Sequence, residues 1–215
     1  MTRIALISTV PSTPVITGRI IHEISPSTEI VNYLDDGIVP AIAANGNALS
    51  IDVNRRLLSL AQAAELSGAQ AILLTCSSIS EFADVAAPFI KLPIFKIDEP
   101  MIRQAVSMGS NIGVVATAET TIPATTRQIE SVAKLQGKQI AIQTRLAVGA
   151  MDALRAGNID KHNKLVADTA VELCDICDVV ILAQGSMMSA LDALDERYHS
   201  KVLTSPYSGV KQLFV

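Results

Sequence analysis

Tryptophan is absent from this 215-residue chain and aromatic residues make up 3% of it, which argues against a pocket lined for an aryl group, although Tyr33, Phe82 and Tyr207 remain as candidates. No apolar run approaches the roughly 20 residues of a membrane span, because a charge, proline or glycine interrupts each within about ten. No membrane partner is expected. Lys/Arg clusters are also missing, and at a net charge of -4 the chain offers no electrostatic footprint for nucleic acid. Cysteines number three, an odd count that argues against a disulfide framework. Two of them form the C-x-x-C of ELCDIC, Cys174 and Cys177, but no second pair and no nearby histidine supplies further ligands. No metal site is expected, and Cys177 should face the core at the head of DVVILA. What is present is 49% hydrophobic and mostly aliphatic, the composition of a folded α/β protein with one large or two small domains. MTRIALIS leads straight into a strand pattern, so a signal peptide is not expected and a cytoplasmic location is.

The third cysteine ends the stretch around which the chain is organised, QAILLTCSSIS, Gln70 to Ser80. Ala71 to Leu74 is a short continuous apolar run, the pattern of a buried parallel strand, and it delivers Thr75 and Cys76 at its carboxyl end. Ser77 or Ser78 is placed to cap a following helix through Ile79, Phe82, Ala83 and Ala86, with Glu81 as the acid of a capping box. That geometry exposes Cys76. Ligands of open α/β sheets collect at such strand ends, and a helix N-terminus favours the thiolate over the thiol. The plainer alternative for a lone cysteine is a small hydrophobe packed in the core.

RIALIST, Arg3 to Thr9, reads as a first strand followed by the breaker-rich loop VPSTP, and EIVNYL, Glu29 to Leu34, as a second. A helix capped by Asp52 or Ser50 precedes Gly68; a short strand at Leu92 to Ile97 and a helix at Glu99 to Met108 complete the first half. Then the pattern restarts. NIGVVA, Asn111 to Ala116, repeats the opening strand, and Ile112 lies 108 positions after Ile4. The same offset pairs Thr9 with Thr117, Thr13 with Thr121, Leu74 with Leu182, Ser78 with Ser186 and Ile94 with Val202. Cys76 falls on Gln184. Helices are expected at Thr125 to Leu135, Gly149 to Arg155, Asp160 to Cys174 and Pro206 to Phe214, and strands at Gln139 to Thr144, Asp178 to Ala183 and Lys201 to Thr204. The repeat implies two similar Rossmann-like α/β lobes with parallel sheets, 1–97 and 98–205, with 206–215 packing back on the first. If a pseudo-two-fold axis relates them, their strand ends converge on one cleft, lined by Ser8, Thr9, Ser77, Ser78, Thr117, Thr120, Thr121, Gly185 and Ser186. Such hydroxyls suit a small carboxylate, although each threonine alone is more often a cap or turn residue.

With IALIST and NIGVVAT as paired opening strands, LLTCSS as a first cysteine motif and VILAQGS in place of a second, the whole chain resembles the aspartate/glutamate/hydantoin racemase superfamily. The resemblance implies a cofactor-independent isomerase whose cysteines exchange the proton beside a carboxylate, and a homo-oligomer. It places Cys76 at the first-lobe catalytic position, Ser8 and Thr9 at the polar pair after the first strand, and Ser77, Thr117, Thr121 and Ser186 at carboxylate-binding positions. Gln184 departs from the pattern, since an amide does not titrate and a two-base racemase needs a base on each face. One thiol still permits one-sided proton delivery, decarboxylation or lyase chemistry, and Gln184 then serves as a hydrogen-bonding element beside Cys76. A descendant that only binds a small acid is the remaining alternative. Glu119 and Asp36 are weak candidates for a second base, and His22, His162 and His199 fall where helix surfaces are expected.

Overall fold

Aliphatic runs buried along their whole length make the central strands, and helices with one apolar face alternate with them. A computed structural model describes residues 2–215. In chain order the elements begin β1 (Arg3–Ser8), α1 (Thr13–Ile24), β2 (Glu29–Leu34), α2 (Ile38–Ala44), α3 (Ile51–Leu66), β3 (Ala71–Leu74), α4 (Phe82–Ala86), β4 (Ile94–Lys96) and α5 (Glu99–Met108). They continue with β5 (Asn111–Ala116), α6 (Thr121–Leu135), β6 (Ala141–Leu146), α7 (Ala150–Arg155), α8 (Ile159–Cys174), β7 (Val179–Leu182), α9 (Glu196–His199), β8 (Val202–Thr204) and α10 (Pro206–Lys211). No helix among the described residues is long and apolar enough to cross a membrane.

Two four-stranded parallel sheets result, ordered β2-β1-β3-β4 and β6-β5-β7-β8. Their registers repeat as well: Ile4 pairs with Ala71 as Ile112 does with Val179, and Ile72 with Ile94 as Val180 does with Val202. Every one of these equivalences lies 108 residues along the chain, and α3 and α8 begin and end on that same offset. β2 and β6 stand 112 apart, so the second lobe adds four residues between the start of α6 and β6 and drops them again before α8. A gapless register therefore holds for six of the eight strands, and a doubled α/β unit is the structural fact behind it.

The contacts divide the chain into one unit reaching to Glu99 and joined by Pro206–Val215, and another spanning Pro100–Ser205. In the first, Ile7, Leu57, Ile72, Leu74, Ile79 and Phe82 form one core on one face of the sheet. Ser50 caps α3, its hydroxyl accepting the Val53 N–H at 3.2 Å, as Asn158 caps α8 through the Lys161 N–H at 3.1 Å. Helix α10 returns to the first unit, where Tyr207 donates a hydrogen bond to Glu23 and Gln212 donates to the Lys96 carbonyl at 2.8 Å.

Two helices differ from the reading of the sequence. The VPSTP segment is only partly a loop, because α1 already begins at Thr13 with a proline in its first turn, where the missing N–H costs nothing. Likewise α6 begins at Thr121 rather than Thr125, with Pro123 in its first turn. The threonine- and proline-rich starts mask helices whose buried faces lie further on.

In the second unit Asp178 accepts the N–H groups of Ser110 and Asn111, both at 2.8 Å, and these bonds hold its carboxyl below the ordinary carboxylate pKa. A depressed folded-state value adds stability above the unfolded pKa that is lost as pH falls through the folded one. Asp178→Asn should therefore lower the melting temperature at neutral pH, and the gap from the parent should close as the pH falls below the usual carboxylate range. Melting curves between neutral and strongly acid pH test this, and a gap independent of pH would count against it.

Candidate active site

Cys76 follows β3 directly and serves as the entry residue of a single 3-10 turn, Ser77–Ile79, with φ -131° and ψ 127°. The expected single capped helix is absent: α4 starts separately at Phe82, and no side chain caps either segment. One turn closes around Ile79, which is buried in the core, and this breaks the run in two. Cys76 is half-buried rather than exposed and packs against the first-unit core. Ser77 and Ser78 are buried beside it. Fully buried Ser80 donates to the equally buried Asp98 at 2.8 Å, which pins the far end of the turn. The sequence reading missed Asp98, whose only signal was an acid directly after a strand.

Beside the turn lies the end of β1. Ser8 and Thr75 share a buried hydrogen bond of 2.8 Å, and Thr75 also reaches the Ile7 carbonyl and Thr13, each at 3.3 Å. Thr9 is 2% exposed, and its hydroxyl oxygen is buried with no hydrogen-bond partner. A groove of about 850 Å³ lies between α1 and β2 and reaches Arg3 and Glu29 at the amino ends of the strands. That is the wrong end of the sheet for chemistry of this fold class, in which sites form at carboxyl ends.

The second unit reproduces the station with a different residue. Gln184 enters a longer 3-10 segment, Gly185–Ala193, with φ -130° and ψ 138°, within about ten degrees of Cys76. Its Oε1 accepts both the backbone N–H of Thr117, at 2.6 Å, and the Thr117 hydroxyl, at 2.9 Å. Because a backbone N–H can only donate, the contacting atom is the amide oxygen, and Nε2 is turned away from Thr117 with its two N–H groups. Thr121 is buried in the first turn of α6, and Thr120 stands at the N-cap without making a capping bond. Gly185 and Ser186 are half-buried at the start of the 3-10 segment. Where the first unit has Ser8 and Thr75, the second has Ala116 and Ala183, so its strand ends are apolar apart from Thr117 and Gln184.

The histidines do not join either strand end. His22 and His199 are exposed on helices, as expected. His162 is instead fully buried in α8, its Nδ1 bonded to the Ala150 carbonyl at 2.9 Å, because α7 packs over the face that carries it. Glu119 and Asp36 are exposed. Cys174 and Cys177 are buried free thiols, and burial pushes both pKa values up, which disfavours the thiolate. Among the described residues no group of three or more His, Cys, Asp or Glu is arranged to hold a metal ion.

A doubled parallel α/β unit with a thiol at one strand end and a polar residue at its repeat defines a class of two-lobed enzymes. The sequence matches the Asp/Glu/Hydantoin racemase family over residues 4–213, and the chain belongs to that family of isomerases. No curated protein matches it in sequence. Among solved structures it is similar in fold to a putative Asp/Glu racemase from Yersinia pestis, at 15% identity and TM-score 0.74, covering 99% of this chain and 97% of that one. A glutamate racemase from Bacillus anthracis matches at 14% identity and TM-score 0.73, covering 99% and 80%. Allantoin racemase from Klebsiella pneumoniae matches at 16% identity and TM-score 0.71, covering 99% and 86%.

Proposed function

We propose that the chain is a cofactor-independent racemase-type isomerase acting at the carbon next to the carboxylate of a small amino acid or related acid, with Cys76 as its acid and base. The observation that supports this is the matched pair of stations, one holding a thiol and the other an amide whose oxygen is already bonded to Thr117. The Cys76 thiolate takes the α proton, leaving a planar carbanion whose charge spreads onto the carboxylate oxygens; the configuration inverts when that intermediate turns over in the site and the resulting thiol returns a proton to its other face. Ser77 and Ser78 supply hydroxyls at the thiol's own turn.

Because Gln184 does not titrate, chemistry confined to one face is the second reading: loss of carbon dioxide from a disubstituted malonate, with Cys76 protonating the carbanion that remains. A panel of aspartate, glutamate, allantoin and substituted malonates in deuterium oxide separates the two, followed by NMR and chiral chromatography. Exchange of the α hydrogen with inversion is expected for the isomerase. Exchange with retention alone, or loss of carbon dioxide from a malonate, would confine the chemistry to one face and overturn the isomerase reading in favour of the second. No exchange and no decarboxylation across the panel would leave a protein that only binds small acids.

A further inference from the structure

We infer that β2 is the edge through which two copies of this chain join: the β2 of a second copy lies antiparallel against it across a two-fold axis, with Arg19 of each copy meeting Asp36 of the other. β2 closes one side of the first sheet and pairs only with β1. The Glu29 N–H donates to the Thr2 carbonyl at 2.9 Å and the Asp35 N–H to the Ser8 carbonyl at 3.0 Å. Backbone direction alternates along a strand, so the N–H and C=O groups of Ile30, Asn32 and Leu34 point the other way. None of these groups has a partner among the described residues.

An open edge of this length is a template for a further strand, and proteins usually guard one with lysine, proline or a covering segment. β2 contains neither lysine nor proline, and its one charge, Glu29, is already held by Arg3 at 2.7 Å. The other edges are guarded. In β6, where Ala141 and Ala147 donate inward, the outward carbonyl of Thr144 at mid-strand is taken by the Arg145 guanidinium at 2.9 Å. β4 and β8 have three residues each, and Gln212 covers the Lys96 carbonyl.

Register identifies a second copy as the occupant. A two-fold axis through Asn32 sets Asn32 against Asn32 and Ile30 against Leu34, which pairs every outward N–H and C=O of both strands. Glu29 then stands across from Asp35, but Arg3 and Arg56 already neutralise the two. The even-numbered side chains face α1, since a methyl group on Gly18 would lie 3.5 Å from Ile30 Cδ1, whereas Tyr33 turns to α3 and donates to the Ala63 carbonyl. Ile30 and Leu34, the latter 45% exposed, therefore meet across the axis beside the groove between α1 and β2. The same register brings Asp36 level with Thr28 of the other copy, where Arg19 lines the groove with His22. Arg19 and Asp36 are both exposed, and neither side chain has an ion pair or hydrogen bond among the described residues. A free cation near one end of the strand and a free acid at the other are complementary to each other only when the second strand runs in reverse.

Sedimentation velocity of the full chain over a range of concentrations tests this. The parent should pass from monomer to dimer as concentration rises. Arg19→Asp or Asp36→Arg alone should raise the dissociation constant about tenfold or more, because each reverses a charge in both contacts of the dimer; the two together should restore it to within about threefold. Asn32→Pro removes an outward N–H that β1 does not use, so it should leave the monomer folded and abolish the dimer. Thr144→Pro, at the matching place in β6, should leave the dimer intact. A parent that is monomeric at every concentration would overturn the inference and leave the edge to a strand of another protein. So would a dimer that survives Asn32→Pro, or charge reversals that weaken it singly and do not recover together. Should the proline variant fail to fold, the pair of charge reversals decides alone.

Discussion

Cys76→Ala should remove turnover by a factor of about 10³ or more while the chain stays folded. Proton transfer by a positioned side chain contributes on the order of 10²–10⁴ in rate, and the buried acid that pins the thiol's turn, Asp98, is already bonded to Ser80. His22, His199, Glu119 and Asp36 are exposed, and His162 is enclosed in α8. Cys174 and Cys177 are buried with raised pKa values. Against this loss, the structural effect of the change is small. Only a sulfur atom is removed from a half-buried position at the edge of the core, worth about 1 kcal/mol by analogy with small core truncations. Cys76→Ser keeps the shape and replaces the thiol with a hydroxyl whose pKa is far too high for a base at neutral pH, so it should be nearly as inactive. Initial rates on whichever substrate of the panel exchanges, with melting curves on the same samples, check both variants. Activity within a few fold of the parent in either would remove the thiol from the chemistry and leave the cysteine as packing.

The strands were legible because burial on both faces leaves only aliphatic side chains: Ala71–Leu74 and Val179–Leu182 are buried at every position. The repeat was legible for the same reason, since equal lengths of strand and helix return to the same offset. Position 184 could be read as the counterpart of Cys76, but its bond to Thr117 could not. That bond joins residues 67 apart and depends on the register of two strands. Thr9 and Thr117 look alike in sequence, and only the coordinates separate an occupied hydroxyl from an unpaired one. His162 was misplaced because a polar residue in the first turn of an amphipathic helix reads as surface, and the small helix α7 that covers it carries too few residues for a periodic pattern. The four-residue addition before β6 escaped a gapless comparison because the offset is restored before α8.

Gly209→Ala should destabilise the protein by about 3 kcal/mol or more, shifting the melting temperature down by about 10 °C. Alanine is intrinsically the better helix residue by about 1 kcal/mol, and on an exposed helix this exchange would stabilise. Here α10 lies so close to the end of the first sheet that a methyl group at position 209 would stand 2.1 Å from the carbonyl oxygen of Ile97 and 2.7 Å from its Cδ1. A side chain could rotate away, but a backbone carbonyl directly before Asp98 cannot move without disturbing the Ser80–Asp98 bond that pins the Cys76 turn. Relief must come instead from lifting α10, and that would break the hydrogen bond from Tyr207 to Glu23 and the bond from Gln212 to the Lys96 carbonyl. Hydrogen exchange should accordingly speed up over residues 206–214 before it does elsewhere, and the reactivity of Cys76 should change along with it. An alanine variant that melts with the parent and protects those amides equally well would show that the helix does not approach Ile97 so closely, and that the chain's last segment is dispensable for holding the thiol in place.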